Sequence, residues 1–107
     1  MTIKRQNQLL DEFISLINKN EFYNAHESIE AIWFPRRFEN SDEVKLLKGF
    51  INAAVSFELS KRRRASSSQK VWKTYLKYRP LLKELDSEFI KKYYLISKCL
   101  EDKKLLL

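Results

Sequence analysis

The stretch LLKGFINAAVSFEL, residues 46–59, decides the fold, because it contains the longest nearly apolar run of the chain. Its apolar side chains recur every three or four residues, which is the spacing of one face of an α-helix. Ser41 stands before this segment as a candidate N-cap, and acidic residues at 42 and 43 suit the positive end of a helix dipole. The sequence therefore predicts a well-buried helix with an apolar stripe formed by Leu47, Phe50, Ile51, Ala54 and Phe57.

Gly49 lies inside this predicted helix, where glycine costs about 1 kcal/mol relative to alanine. It is the only glycine of the chain. We expect it to admit the close approach of a neighbouring helix.

Outward from this segment, the spacing of apolar residues predicts four more helices, over about 3–18, 21–34, 68–78 and 87–100. Asn20 is the expected N-cap of the second helix, and Pro35 ends it because a proline disfavours helical geometry in the preceding residue. Pro80 interrupts the fourth helix, and Asp86 or Ser87 is expected to cap the last one, which buries Phe89, Tyr93, Ile96 and Leu100. Residues 61–69, KRRRASSSQ, are expected to form the longest loop or the entry to the next helix, and the tail at 100–107 is expected to fray unless its leucines dock. The prediction is an all-α fold, a small antiparallel helical bundle of about five helices in a single domain, residues 1–107.

The composition excludes several classes of protein. With one Gly, the chain lacks the turns of an all-β fold and the glycine clusters of phosphate-binding loops. With one Cys, it lacks a disulfide scaffold and every metal site built from several cysteines. No segment is apolar enough to span a membrane and the first residues do not resemble a signal peptide, so a cytoplasmic location is expected.

The net charge of +7 comes from one part of the chain, residues 59–83, which holds nine basic side chains and no acidic one. Such a local field attracts phosphate-rich or acidic partners, although a basic surface also serves solubility alone. Trp72 and Tyr75 are expected to point to the core, so the sequence predicts non-specific nucleic-acid affinity rather than sequence reading. The candidate polyanion contacts are Lys61, Arg62, Arg63, Arg64, Lys70, Lys73 and Lys77.

A second candidate site lies in the predicted second helix, where His26, Glu30 and Trp33 share one stripe. This stripe is expected to face the core, with His26 bonded to Glu30 one turn away. One reading is a core hydrogen bond covered by Trp33. The other two readings are a small-ligand or metal site and a catalytic group.

Two segments carry a resemblance to a known family. FYNAHESIEAIW, residues 22–33, followed by residues 46–59, resembles the DUF309 family of small bacterial and archaeal helical proteins. His26, Glu30 and Trp33 match its His-x-x-x-Glu-x-x-Trp/Tyr motif. The similarity spans about residues 16–82, and residues 83–107 add a C-terminal helix and tail. The resemblance implies an all-α bundle of unknown function with a suspected metal site at the His and the Glu.

The chain also departs from this family pattern. Most members carry a histidine and then an RRGN-like turn after the second motif helix, whereas residues 56–64, SFELSKRRR, contain no histidine. Glu58 is the residue that could replace this polar group, and Asn52 lies where the family has Gln. The motif and ligand site is therefore assigned to His26, Glu30, Trp33, Asn52 and Glu58, with His26 and Glu30 as the metal ligands.

Two functions follow from these observations. The first is a non-enzymatic module that binds a protein or nucleic-acid partner through a basic face. The alternative is a metal- or small-ligand-binding protein, one form of which is a hydrolase, at His26 and Glu30. The sequence leaves open whether the protein is an enzyme and whether a divalent metal is its cofactor. Its leucine-rich tail also allows a homodimer.

Overall fold

The computed structural model describes residues 1–107, which form five α-helices and no strand. The helices are α1 (Ile3–Asn18), α2 (Phe22–Trp33), α3 (Asp42–Lys61), α4 (Ala65–Tyr78) and α5 (Ile90–Leu106). The two prolines lie in short 3₁₀ turns, Phe34–Arg36 and Arg79–Lys83, which follow α2 and α4. The predicted all-α fold of five helices is confirmed. No helix combines the length and the apolar character needed to cross a membrane.

The centre of the bundle is α3, which packs against α2, α4 and α5. As predicted, Ser41 caps it: the hydroxyl oxygen of Ser41 accepts a hydrogen bond from the backbone N–H of Val44 at 3.2 Å. A Cβ atom at Gly49 would lie 3.3 Å from the Cβ of Tyr78 on α4. The expectation that Gly49 admits a close neighbouring helix is therefore confirmed.

The core is one apolar cluster to which every helix contributes. Aromatic side chains from three helices meet at its centre, where Phe50 of α3 contacts Tyr75 of α4 and Tyr93 of α5. Farther along α3, the ring of Phe57 stacks on Trp72 with 5.6 Å between the ring centroids. These rings supply much of the buried apolar area that stabilises a chain of this size.

The connection between α3 and α4 is shorter than a loop over residues 61–69, because residues 65–69 form the entry to α4, which is the second of the two expected arrangements. Helix α4 begins at Ala65, three residues earlier than expected, and only Arg62–Arg64 link the two helices. The N–H groups of Arg63 and Arg64 bond to the carbonyls of Ser60 and Leu59, and Arg63 has φ 62°. This is the Schellman ending of a helix, which reverses the chain within a few residues.

Asn20 ends α1 in the same way and does not cap α2, so that expectation was wrong. Its φ is 61°, and its N–H bonds to the carbonyl of Ile17. Asparagine tolerates this left-handed conformation better than most residues do. Helix α2 then begins with Glu21 at the N-cap and no side-chain cap.

The last helix differs from the prediction at both ends. Ser87 accepts a bond from the N–H of Phe89, and the helix itself begins at Ile90. The tail is helical rather than frayed, since α5 continues to Leu106. Leu105 and Leu106 are nevertheless exposed and do not dock on the bundle. The predicted inward positions Phe89, Tyr93, Ile96 and Leu100 are all buried.

A polar network, called here the Glu43 network, joins the helices at one end of the bundle. Glu43 accepts hydrogen bonds from the Tyr93 hydroxyl at 2.7 Å, the Ser87 hydroxyl at 2.8 Å and the Arg36 guanidinium at 2.9 Å. Gln6 of α1 donates to the Tyr93 hydroxyl in turn. Burial opposes ionisation of the Glu43 carboxyl, but these three hydrogen bonds outweigh it and lower the pKa of Glu43 below its ordinary value.

Candidate functional site

The geometry around His26 is set by two contacts within α2. Its Nδ1 lies 2.6 Å from the backbone carbonyl oxygen of Tyr23, and its Nε2 lies 3.1 Å from Oε2 of Glu30. A carbonyl oxygen only accepts, so Nδ1 carries the hydrogen of that bond. The other ring nitrogen, Nε2, faces Glu30. This contact between His26 and Glu30 was expected from the sequence.

The His26 stripe lies at the edge of the core. Trp33 packs against the core as expected, whereas the expectation that His26 and Glu30 face it was wrong. The buried positions of α2 are Phe22, Ala25, Ser28, Ile29 and Ile32. His26, Glu30 and Trp33 each follow a buried position by one residue, which turns them about 100° around the helix axis. The side chain of His26 is 17% exposed, that of Glu30 is 44% exposed, and Trp33 is half-buried.

His26 lines a groove between α2 and α3 with a volume of about 260 Å³. The residues that form it are Phe22, Tyr23, His26, Val55, Glu58, Leu59 and Arg62. The groove thus brings Glu58 to the neighbourhood of His26, as the sequence suggested. The Glu58 carboxylate is already paired with Arg62 at 3.1 Å.

Asn52 and Glu30 do not line this groove. Asn52 is half-buried on α3, and its side-chain amide donates to the backbone carbonyl of Lys48 at 2.8 Å. That bond lies within its own helix. Of the five predicted site residues, the groove therefore contains His26 and Glu58, while Glu30 joins it only through its contact with His26.

Around His26, two groups carry atoms of the kind that bind metal ions, and these are Nε2 of His26 and the Glu30 carboxylate. The hydrogen bond at Nδ1 is one that commonly orients a metal-binding histidine. No group of three or more His, Cys, Asp or Glu side chains is arranged to hold a metal ion. Catalytic zinc sites use three protein ligands and structural ones use four, so these residues do not complete either kind of site.

The basic side chains of residues 61–77 are exposed to solvent. Lys61 and the three arginines lie at the end of α3 and in the turn after it, while Lys70, Lys73 and Lys77 lie on the outer side of α4. Trp72 and Tyr75 are buried in the core, as expected. The only ion pair formed by any of these seven cations is that of Arg62 with Glu58.

The sequence analysis missed the largest cavity of the molecule, which has a volume of about 530 Å³ and lies between α5 and the turn at Arg79–Lys83. Its lining residues are Arg79, Pro80, Leu82, Lys83, Tyr94, Ser97, Lys98, Glu101 and Asp102. No local motif marks it, because the two walls are more than ten residues apart in the chain. The one available signal was Tyr94, an aromatic residue next to the predicted buried stripe of α5.

One wall of this cavity is anchored to the core by hydrogen bonds. The Glu101 carboxylate accepts bonds from the Tyr75 hydroxyl at 2.7 Å, the Ser97 hydroxyl at 2.9 Å and the Arg79 guanidinium at 3.0 Å. Burial raises the pKa of Tyr75, and its contact with Glu101 favours the neutral phenol as well. The wall is therefore held in place by buried groups.

The fold and these sites define a small all-α protein with a half-buried histidine motif and an exposed run of cations. The model of the DUF309 family, described as a domain of unknown function, matches residues 10–71. That match covers more than half of the chain, and the chain belongs to this family. No curated protein and no solved structure matches it.

Proposed function

We propose that this protein is a non-enzymatic module that binds a polyanion, with nucleic acid as the partner, through a basic surface. The basic surface is defined as Lys61, Arg62, Arg63, Arg64, Lys70, Lys73 and Lys77. The observation that carries the proposal is that six of these seven cations form no ion pair within the protein, although they lie close together in the chain. We further propose that the protein acts in the cytoplasm, where such partners are abundant.

The arrangement of these side chains supports contact with an extended partner. Lys70, Lys73 and Lys77 follow one another at spacings of three and four residues, so they share one side of α4. The three arginines stand before the N-terminus of the same helix, whose dipole adds positive potential there. Since α4 has 14 residues, the surface extends over about 21 Å.

The backbone at Arg63 also supports the proposal. Arg63 adopts the left-handed conformation, with φ 62°, at the position where helices usually end in glycine. A residue with a Cβ atom pays about 1–2 kcal/mol there. A functional role for the charge of Arg63 would explain an arginine in this strained conformation.

The test is the affinity for a polyanion measured by fluorescence anisotropy, with a labelled 12-nucleotide single-stranded DNA as the probe. In Arg62→Glu/Arg63→Glu/Arg64→Glu, we expect the affinity at low salt to fall by at least about tenfold, because phosphate contacts dominate such binding. The wild-type affinity is expected to fall steeply as salt increases, and the slope in the variant is expected to be smaller.

A matched control separates this surface from net charge in general. Lys4→Glu/Lys45→Glu/Lys91→Glu changes the net charge by the same amount at exposed positions outside the basic surface. We expect it to retain most of the affinity. Equal losses in the two triple variants, or wild-type binding that does not weaken with salt, would contradict the proposal. Lys70→Glu/Lys73→Glu/Lys77→Glu provides a second variant if the arginine variant folds poorly.

A second candidate function is binding of a small ligand or metal ion at His26 and Glu30. One observation favours it, which is that the bond from Nδ1 to the Tyr23 carbonyl aims Nε2 at Glu30. The alternative is a hydrogen-bonded pair that stabilises α2. No reaction follows from two such ligands, so the candidate is a binding function.

Elemental analysis of the protein, purified without an affinity tag or chelator, tests this candidate. Near-stoichiometric zinc, manganese or iron that disappears in His26→Ala and persists in Glu27→Ala, which changes an exposed carboxylate on the same helix, would support it. Absence of metal after incubation with each ion, with no heat of binding for zinc chloride, would exclude the metal form of the candidate. His26→Ala would then be expected only to lower stability.

A further inference from the structure

We propose that the cavity beside Tyr94 is a subsite for a nucleobase, in which the Tyr94 ring stacks on a base of a single-stranded partner. The cavity is bounded by α5 and by the turn at Arg79–Lys83. The proposal rests on the polyanion-binding function proposed above. It adds a second kind of contact with the partner, because a base offers a flat aromatic surface that phosphates do not provide.

Two of the three aromatic groups inside the basic segment are buried, and the third, Tyr78, is half-buried against Gly49. Trp72 is 9% exposed and Tyr75 is fully buried, so neither ring offers a free face. The tertiary structure supplies another aromatic ring at the end of this segment. Tyr94 comes from α5, is 49% exposed, and lines the same cavity as Arg79 and Lys83.

A hydrogen bond restrains the ring of Tyr94, which favours stacking on it. Its hydroxyl donates a hydrogen bond to the backbone carbonyl of Leu82 at 3.2 Å, which links α5 to the opposite wall of the cavity. This bond restrains the ring while leaving about half of the side chain open to solvent. Because the ring is already restrained, the binding of a base costs little side-chain conformational entropy.

The charges around the cavity suit a nucleotide. Arg79 is paired with Glu101 and Lys98 with Asp102, so these four charges largely cancel. Lys83 forms no ion pair and is exposed, which leaves it free to contact a phosphate. The volume of about 530 Å³ lies in the range of small-molecule sites and accommodates one nucleotide.

The cavity lies next to the C-terminal end of the helix that carries the lysines of the basic surface. Arg79 and Pro80 in its wall directly follow α4, two and three residues after Lys77. A strand whose phosphates contact α4 thus reaches the cavity at the end of the helix. Aromatic rings beside a basic groove are the general arrangement for binding single strands with little sequence preference.

Another exposed aromatic cluster is less suited to this role. Phe34 and Phe38 are exposed, but the Arg37 guanidinium lies 3.7 Å and 4.5 Å from their ring centroids. One face of each ring is therefore covered by Arg37, and neither ring lines the cavity. Phe38→Leu consequently serves as a matched control, since it removes an exposed aromatic ring outside the cavity.

The experiment compares two labelled probes that carry the same number of phosphates, a 12-nucleotide oligothymidylate and a 12-unit abasic oligomer. We expect the wild-type protein to bind oligothymidylate more tightly by about tenfold, because stacking adds affinity that phosphates alone do not. Tyr94→Leu is expected to remove this difference and to bind the abasic oligomer as the wild-type protein does. Phe38→Leu is expected to preserve the difference, and Tyr94→Phe, which keeps the ring but loses the bond to Leu82, is expected to keep a smaller difference.

The outcomes distinguish this subsite from the basic surface. Equal affinity of the wild-type protein for both probes, or an undiminished preference in Tyr94→Leu, would overturn the subsite and leave the polyanion function standing. Failure of both probes to bind would overturn the polyanion function. In that case uridine monophosphate is titrated against the protein by NMR: shifts of the Tyr94 ring resonances would support a site for free nucleotides, and their absence would overturn the subsite as well.

Discussion

The Glu43 network and the basic surface both contain arginine side chains, but they differ in where the charge is balanced. In the Glu43 network, Arg36 donates to Glu39 and Glu43, and Glu43 in turn accepts from Ser87 and Tyr93. At the basic surface, Arg63 and Arg64 have no acidic partner within the chain. The first region thus uses charge to hold helices together, whereas the second leaves most of its cations unpaired at the surface.

This difference has an energetic basis. Hydrogen bonds to a half-buried carboxylate are strong because water competes for them poorly, and removal of one member leaves the others unsatisfied. Exposed cations contribute little to stability, since water and salt already screen them. Substitutions in the two regions should therefore separate effects on folding from effects on binding.

The largest effect is expected from Glu43→Ala, which removes the acceptor shared by Arg36, Ser87 and Tyr93. We expect the free energy of unfolding at neutral pH to fall by about 3 kcal/mol, because three donors lose a partly buried charged acceptor. Urea denaturation followed by circular dichroism measures this change.

Glu84→Ala is the matched control for this substitution, since Glu84 is an exposed carboxylate without an ion pair. It is expected to change stability by less than about 0.5 kcal/mol. A similar loss in both variants would show that the Glu43 network does not stabilise the bundle in the way proposed.

A smaller effect is expected from acid. Because the pKa of Glu43 in the folded protein lies below its ordinary value of 4.5, its ionisation contributes stability that is fully present above that value. This contribution is lost as the pH falls through the lowered pKa. We therefore expect the unfolding free energy to decrease more steeply below about pH 4.5 in the wild-type protein than in Glu43→Gln.

Urea titrations at a series of pH values between neutral and strongly acidic conditions test this difference. Glu84→Gln is expected to follow the wild-type curve, since it removes a carboxylate without removing the network. Parallel curves for wild type and Glu43→Gln would mean that Glu43 does not couple folding to pH.

The smallest effect, and one of opposite sign, is expected from Arg63→Gly. Glycine adopts the left-handed conformation without steric cost, so the substitution should stabilise the protein by about 1 kcal/mol even though the unfolded chain gains freedom. Loss of one phosphate contact should also weaken oligonucleotide binding modestly. A gain in stability with a loss in binding would sharpen the contrast between the two regions.

Arg64→Gly removes the same charge at a position whose φ is −104°. Its binding loss should be similar, but it should bring no gain in stability, because glycine has no conformational advantage there. If the two variants have the same stability, the left-handed conformation of Arg63 carries no measurable cost.

Much of the candidate site was accessible from the sequence, because its members lie close together along the chain. The spacing of His26 and Glu30 predicted their contact, and the run of cations at 61–64 needed no tertiary information. The inward direction of His26 and Glu30 was predicted wrongly. Helical periodicity locates an apolar face only to within about one residue, and one residue turns a side chain by 100°.

The sequence by itself determined the helical class, the central place of α3 and the close approach at Gly49, because these depend on the order of apolar and small residues along one helix. Only the tertiary structure decided which polar groups from distant segments meet. Glu43 with Tyr93, and Arg79 with Glu101, are joined by the packing of α5 against elements far from it in sequence. Such contacts carry no local signature, since they depend on how whole helices fit together rather than on the preferences of neighbouring residues.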